Sequence, residues 1–512
     1  MRRTVLILFC LALASGIAWR SVAAARADDD PALLAKAQAY DTGVRDRHVP
    51  GYGGIVQALY ETEDLQTILM YRGQGDSTMW TSTYGASQAF RYAVTGDADA
   101  KANAIAAVQT LNDHLRVTQT TGYVGRYVGP VSDPAFWLDY AGSEILLYGS
   151  GLWLGTFYLS NSSSDQYDGF FHGLSVIYDL VDDAPTRALI KSMIKEVIDK
   201  LRASYWFILN EDGLPTTAAP QIDGTERIAF ALIAAHILDT EEYWNLYAQV
   251  YEEEKPGLPL SAISFFNKYT EYFANNLRHQ NFYTLFTMDP DDERVAYFFR
   301  VFMDKVRPWV ENTHNVYFDW VYLTACQRLD RCRGSQAIME DGVAMLGQFT
   351  EPPNREIHID PPAAAVDPIS QWLVDFQSTL PDWLGDLLDF QLQAKEAYPV
   401  EYRCRQEYLW QRSPFQMQCA GFLPQHVMPG VDYLMAYWMG RYYDYLEPHD
   451  IDGPPDDDTT DDDNDDNDDN DDTAGTDDDT RTDDDTTLPP DDDTSGNAED
   501  NDDDYGDTCC GI

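Results

Sequence analysis

Residues 79–97 read MWTSTYGASQAFRYAVTGD, and residues 98–122 continue as ADAKANAIAAVQTLNDHLRVTQTTG. In the first stretch apolar and aromatic residues recur at steps of three and four, which is the period of a helix with a buried face. The second stretch is rich in alanine, the residue with the highest helix propensity. Glycine commonly terminates helices, so Gly96 is predicted to end the first helix and Gly122 the second. Two helices joined by so short a turn form an antiparallel helical hairpin.

The same helix–turn–helix pattern recurs along the chain. Residues 168–183 and 184–206 form a second pair, and residues 225–254 and 282–327 contain further pairs. One pair cannot bury its apolar face alone, so the pairs must pack against one another. The sequence therefore predicts an all-α fold, and we expect the hairpins to close into an α/α-toroid that spans residues 28–448.

Signals for β-strands are sparse. Short extended pieces are predicted at residues 122–131 and 207–217, and the second contains the turn sequence NEDGLPT. Residues 351–400 carry many prolines and predict a long irregular segment over the helices. Long loops of this kind often carry function.

Three stretches of the chain resemble a known family. They are GDSTMWTSTYGASQAFRYAVTGDADAKANAIAAVQTLNDHL from Gly75, DQYDGFFHGLSVIYDLV from Asp165, and LWQRSPFQMQCAGFLPQHVMPGVDYLMAYWMGRYY at 409–443. Over most of residues 60–445 the chain resembles exported bacterial proteins with a six-hairpin glycosidase-like α/α-toroid, many of which have no assigned activity. The resemblance implies the toroid. It implies no single activity, because unsaturated glucuronyl hydrolases, polysaccharide lyases and sugar epimerases share this fold without sharing a mechanism.

The N-terminus predicts export. Arg2 and Arg3 precede an apolar run of about 16 residues, and the triplet Ala25-Arg26-Ala27 fits a small-x-small cleavage site. We expect residues 1–27 to be a cleaved signal peptide; the alternative is an uncleaved anchor helix, for which the run is short. The mature chain has no later apolar stretch of membrane-spanning length. Its expected location is periplasmic, cell-surface or extracellular.

The C-terminal segment, residues 449–512, is dominated by aspartate. It holds 29 acidic residues and one basic residue, Arg481, in a chain whose formal net charge is −51. So few apolar side chains cannot offset the entropy of folding, and we expect a disordered, extended acidic tail. Because the rest of the chain is also acidic, nucleic acid is a poor partner. The NDD repeats lack the ligand spacing and glycine of an EF-hand loop, so we expect only weak, diffuse calcium binding.

Six cysteines follow the predicted signal peptide. The pairs Cys326–Cys332 and Cys404–Cys419 are plausible local disulfides, although four cysteines allow three connectivities. The adjacent Cys509 and Cys510 end the tail. They form either a strained or intermolecular disulfide or a signal for processing or cell-surface attachment, with the tail as a spacer. These spacings lack the CxxC pattern of zinc sites, and we expect neither a metal nor a cofactor.

Three aspartates are candidate catalytic residues because glycoside cleavage needs a proton donor and a second carboxylate. Asp76 lies in GQGDSTMW, and Asp165 and Asp168 lie in SSSDQYDGFFHG, each before the first helix of a pair. In a toroid these helix starts would surround one funnel. The structural alternative is that these aspartates cap the helices.

Aromatic and basic side chains near these aspartates and in the C-terminal block are candidate substrate-binding residues. Aromatic rings could wall sugar subsites, arginines could bind a carboxylate or sulfate in bidentate fashion, and the histidine could pair with Asp168. The alternatives are core packing for the rings and histidine, and structural ion pairs for the arginines. The candidates are Trp80, Tyr84, Tyr167, His172, Trp410, Arg412, Trp438 and Arg441.

Two functions follow from these residues. The first is an exported carbohydrate-active protein, a glycoside hydrolase or lyase-like enzyme that acts on a surface or extracellular glycan through paired carboxylates. The alternative is a non-catalytic binding or structural protein that an acidic spacer displays at the cell surface.

Overall fold

The fold is described from a computed structural model. It describes residues 30–454 except 358, 382–387, 389, 406–407 and 420–421. The signal peptide expected at residues 1–27 lies outside the described residues. So do residues 455–512, which hold most of the acidic tail together with Cys509 and Cys510.

Helices make up most of the described chain, which confirms the all-α prediction. They are α1 (Pro31–Gly43), α2 (Ser77–Thr95), α3 (Ala98–Val117), α4 (Ser164–Leu180), α5 (Ala184–Ala203), α6 (Gly224–Leu238), α7 (Glu241–Glu254), α8 (Leu258–Ser261), α9 (Phe265–Tyr269), α10 (Ala274–Met288), α11 (Asp292–Lys305), α12 (Arg307–Val310), α13 (Val316–Leu329), α14 (Ser335–Gln348), α15 (Pro368–Gln377) and α16 (Val431–Tyr443). As expected, α2 ends at Gly96, which adopts a φ of +73°.

The helices of each pair differ in how much of their surface is apolar. Helix α6, GTERIAFALIAAHIL, is apolar on nearly all sides, and α2 is buried continuously from Ser77 to Arg91. Helix α11, DERVAYFFRVFMDK, is apolar on one face only. A helix that is apolar all round needs to be enclosed, whereas a one-sided helix lies at the surface. The first helix of each pair is therefore inside and the second outside.

Contacts link the six inner helices in the order α2, α4, α6, α10, α13 and α16, and α16 also contacts α2. We call these six the first-arm helices. Helix α10 additionally contacts α4, and the outer helices α3, α5, α7, α11 and α14 each pack on the helix that precedes them in their pair. Helix α1 packs on α16. One large apolar cluster runs through these helices.

Two glycines allow α2 and α4 to approach closely. A Cβ on Gly169 would lie 2.5 Å from the Cα of Met79, and a Cβ on Gly173 would lie 2.5 Å from the carbonyl oxygen of Ser82. Both distances are too short for any side chain, so glycine is required at each position. This close crossing brings together the starts of the two helices, which carry the candidate aspartates.

Short strands form two antiparallel sheets that the sequence only partly predicts. The strands are β1 (Gln57–Tyr60), β2 (Ile68–Arg72), β3 (Tyr127–Pro130), β4 (Leu146–Tyr148), β5 (Thr156–Leu159), β6 (Asn354–Arg355) and β7 (His426–Met428). Their orders are β2-β1-β7-β6 and β3-β5-β4. The extended piece expected at 122–131 contains β3, and the one at 207–217 forms only isolated bridges. Strand β1 was missed because all four of its residues are buried, which removes the alternation that marks a strand.

Both local disulfides, Cys326–Cys332 and Cys404–Cys419, are confirmed. Among residues 351–400 the described part is largely irregular, as expected, with only β6, α15 and the start of a short 3-10 turn. Composition places the start of the tail at residue 449, but Asp452 still accepts hydrogen bonds from the backbone of Gly334 and Ser335 at the start of α14. The folded unit therefore extends to Gly453.

Candidate functional site

Two of the three candidate aspartates lie close together where α2 and α4 begin. Asp76 ends a 3-10 turn before α2 and, contrary to the capping alternative, its side chain makes no cap hydrogen bond to that helix. The sequence suggested that Asp165 precedes the helix, but it lies inside the first turn of α4. The Asp76 side chain is 42% exposed and Asp165 is half-buried.

A single buried amide joins the two carboxylates. Gln166 Nε2 lies 2.8 Å from Asp165 Oδ2 and 3.5 Å from Asp76 Oδ1, while Gln166 Oε1 accepts a hydrogen bond from the backbone of Met79. Because both distances end at the same nitrogen, the two carboxylate oxygens are at most about 6 Å apart. That bound includes the spacing of roughly 5 Å found in retaining glycosidases and falls just short of the inverting range.

Arg126 supplies a positive charge beside this pair. Its guanidinium lies 3.9 Å from Asp76 and donates hydrogen bonds to the Gly75 carbonyl oxygen and to Ser163 Oγ. The Ser163 hydroxyl in turn donates to Asp165. Arg126 therefore holds both helix starts through neutral groups. Its positive charge would also attract an anionic group of a ligand that binds beside these carboxylates.

Asp168, the third candidate, lies one turn farther along α4 and is fully buried. Asn281 Nδ2 on α10 donates a hydrogen bond to Asp168 Oδ1 at 2.8 Å. Burial, followed by the negative charge of Glu226 on α6, raises the pKa of Asp168 well above its ordinary value. It therefore faces another carboxyl group rather than His172.

Glu226 is the partner of Asp168 and was missed by the sequence analysis. It also completes a capping box, because its carboxylate accepts from the Asp223 backbone at 2.7 Å while its own N–H donates to Asp223 Oδ1. Burial, followed by the charge of Asp223, raises the pKa of Glu226 from 4.5 to about 8. The Asp168–Glu226 pair thus holds a proton at neutral pH, which is the state that a proton donor requires.

In place of an open funnel, the described residues enclose a small cavity between the first-arm helices. Trp80, His172 and Trp410 line a central cavity with Gln280 and Tyr317, and its volume is about 10 Å³. That is room for roughly one water molecule. Burial lowers the pKa of His172 to about 3, so its ring is neutral, and it meets the Tyr283 ring edge-on at 5.4 Å.

The other predicted binding residues do not join this group. Tyr84 and Tyr167 are buried, and the Tyr167 hydroxyl is hydrogen-bonded to the backbone of Gly122. Trp438 and Arg441 lie in the second half of α16, where the Arg441 guanidinium is 5.8 Å from the Trp438 ring centre. Arg412 follows the turn that carries Trp410 and is half-buried.

Gln166, Glu226 and Asn281 were not predicted, although the first two share a recognisable position. Gln166 and Glu226 lie in the first turn of a first-arm helix, as Asp319 and Asp432 do near the starts of α13 and α16, and Asn281 is the eighth residue of α10. Acids in a first turn commonly serve the helix dipole, so this position alone does not indicate function. The signal would have been the repetition of acids and amides at the starts of helices that are otherwise apolar.

Among the residues that the structure describes, no group of three or more His, Cys, Asp and Glu side chains is arranged to hold a metal ion. In the same residues no helix is both long and apolar enough to cross a membrane. Comparison of the sequence with models of known protein families and with curated proteins finds no match.

Proposed function

We propose that this chain is an exported carbohydrate-active protein whose first-arm helices form the inner ring of a six-hairpin α/α-toroid. The unbroken order of contacts from α2 to α16 and back to α2 supports the ring. Two disulfides support export, because such bonds persist in oxidising compartments. The resemblance at 60–445 supports a glycan as the ligand.

The observation that carries the proposal is the pair of partly exposed carboxylates on one amide. Asp76 and Asp165 lie at the starts of adjacent first-arm helices, and neither is used up in helix capping. In a hydrolase one of them, protonated, donates its proton to the leaving oxygen as the glycosidic bond breaks. The other carboxylate attacks the anomeric carbon, and water then releases the sugar.

Asp168 has a supporting role in this proposal. It is buried near Glu226, whose charge raises its pKa, and it lies three residues from Asp165, so the two aspartates lie on one helix face. Asp168 would position Asp165 and set the local charge, and it would not itself touch the glycan.

The test is a panel of polysaccharides treated with the full mature chain, with release of reducing ends as the readout. We expect Asp76→Asn and Asp165→Asn each to lower the rate by at least a hundredfold, the scale typical of a lost acid or base. Asp304→Asn is the matched control, because Asp304 is 74% exposed on α11. Unchanged rates in the two site variants would refute these roles, and no turnover of any glycan would refute the enzyme.

The alternative is a non-catalytic binding or structural protein at the cell surface, and one observation favours it. The centre of the first-arm helices holds a cavity of only about 10 Å³, walled by buried rings. Glycan binding without turnover, unchanged in Asp76→Asn, would support this second function over the first.

A further inference from the structure

Three consecutive residues, Tyr408, Leu409 and Trp410, pack into the apolar cluster that the first-arm helices share. They come from the long segment between α14 and α16 and not from any first-arm helix. All three are buried, and Trp410 lines the central cavity. We call these three residues the plug.

Two hydrogen bonds tie the plug to Asp432 on α16. The Leu409 backbone N–H donates to Asp432 Oδ2 at 2.6 Å, and Trp410 Nε1 donates to the Asp432 carbonyl oxygen at 2.8 Å. Asn315 donates to the Trp410 carbonyl oxygen at 3.3 Å. The Cys404–Cys419 disulfide closes the stretch of chain that carries the plug.

The Tyr408 ring lies flat on the Trp80 indole. The ring centres are 3.4 Å apart and the planes are inclined by 15°. A flat face of tryptophan is the surface on which the apolar side of a sugar ring packs. Tyr408 therefore occupies the place that a ring-shaped ligand would take.

Beneath the plug, the first-arm helices present polar atoms that lack protein partners. They are Trp80 Nε1 on α2, both ring nitrogens of His172 on α4, Gln280 Oε1 on α10 and Tyr317 Oη on α13. All four residues line the central cavity and are at least nine-tenths buried. Buried polar groups are nearly always paired, and one water molecule makes about three hydrogen bonds, too few for all of them. A ligand with several hydroxyl groups would satisfy the whole set.

We propose that the plug is a removable cover over a binding site for one sugar ring, which packs on Trp80 and hydrogen-bonds to His172, Gln280 and Tyr317. The ligand class rests on the proposed function, since it takes the ligand to be a sugar. The inference that the plug is a removable cover rests on the geometry alone. In the closed arrangement the site is self-occupied, and binding requires Tyr408 to leave Trp80.

The first measurement follows opening without any ligand. Hydrogen exchange is read by mass spectrometry on peptides that cover the plug, α2 and α16. We expect the plug peptides of the full chain to exchange faster than α2 and α16, through local opening. In Cys404→Ser/Cys419→Ser, plug exchange should rise on the order of 100-fold, the scale set by releasing a loop of this length. The matched control, Cys326→Ser/Cys332→Ser, removes the other disulfide and should leave plug exchange unchanged relative to α2.

The second measurement follows binding of cellobiose, chitobiose and digalacturonic acid by tryptophan fluorescence. A site available only a fraction of the time binds more weakly by that fraction. The affinity gain in Cys404→Ser/Cys419→Ser should therefore match its gain in plug exchange, up to complete opening. Tyr408→Ala, which keeps the disulfide and uncovers Trp80, should also bind more tightly than the unaltered chain and serves if the serine variant does not fold.

The outcomes separate the two proposals. Plug peptides that exchange only together with α2 and α16, in the unaltered chain and in both plug variants, overturn the removable cover whatever the sugars do. A plug that opens as expected while none of the three sugars binds leaves the cover standing and overturns the sugar as its ligand. Opening together with tighter binding of at least one sugar is the expected result.

Discussion

The buried Asp168–Glu226 pair makes a defined prediction about stability and pH. The folded protein holds a proton on Glu226 up to a pKa of about 8, whereas an unfolded glutamate loses it near 4.5. Between these values the unfolded state binds fewer protons, so stability falls as pH rises and the loss is complete above pH 8. The slope for one proton is about 1.4 kcal/mol per pH unit.

Glu226→Gln removes this titration with little change in shape. The glutamine carbonyl oxygen can still accept from the Asp223 backbone, and its amide can donate to Asp168 in place of the shared proton. The variant should therefore gain on the unaltered protein by up to about 1.4 kcal/mol per unit between pH 5 and 7. Asp41, Asp319 and Asp432, whose pKa values burial raises to about 6, add their own slopes to both proteins and cancel in the difference. Asp168 does not cancel, but losing the charge of Glu226 lowers its raised pKa and so changes the pH dependence in the same direction.

The assay is urea unfolding of both oxidised proteins, followed by tryptophan fluorescence at pH 5, 6, 7 and 8. Glu340→Gln is the control, since Glu340 is exposed on α14 and its substitution should leave the pH dependence unchanged. The reasoning is refuted if the difference in unfolding free energy between Glu226→Gln and the unaltered protein is the same at every pH. It would also be contradicted if Glu226→Gln gained stability relative to the unaltered protein as the pH falls.

Two further predictions concern packing and charge, both measured by the same urea unfolding. Gly173→Ala should destabilise the protein by about 1–3 kcal/mol, because the new Cβ would meet the Ser82 backbone at 2.5 Å; Gly347→Ala in α14, with nothing within 4 Å, should be neutral or stabilise by up to about 1 kcal/mol, and the same sign for both would refute the close crossing. Arg307→Met should cost about 3–5 kcal/mol at pH 7, since it leaves Asp319 buried without its 2.7 Å partner, and the cost should shrink at acid pH, where Asp319 takes up a proton; a loss that does not depend on pH would contradict this account.

The sequence predicts the helices better than their surroundings, for a physical reason. The three-and-four spacing in residues 79–97 reports a buried face directly, and Gly96 ends that helix as expected. The closeness of α2 and α4 was not predicted. It depends on Gly169 and Gly173 facing the backbone of another helix, and a single sequence does not show which face meets which neighbour.

The candidate site was predicted in part. Asp76 and Asp165 were chosen because each opens a first-arm helix, and the structure brings both to one amide. Gln166 and Glu226 were missed because each has an ordinary local role, as a helix-start amide and as half of a capping box. Their second contacts cross to another helix, and such contacts leave no periodic trace in the chain.

The packing of Tyr408 and Trp410 against Trp80 and the central cavity bears most directly on the two proposals. If Tyr408 and Trp410 belonged to an ordinary core, the atoms around them would be expected to be apolar, because a buried polar group without a partner costs about 1–3 kcal/mol. The plug instead covers polar atoms from four different first-arm helices, while the apolar ring of Phe349 packs against Trp410. An apolar cover over a polar floor suits a site that is closed when empty. It suits a permanent core poorly, since replacing those four side chains by apolar ones would have stabilised the same packing.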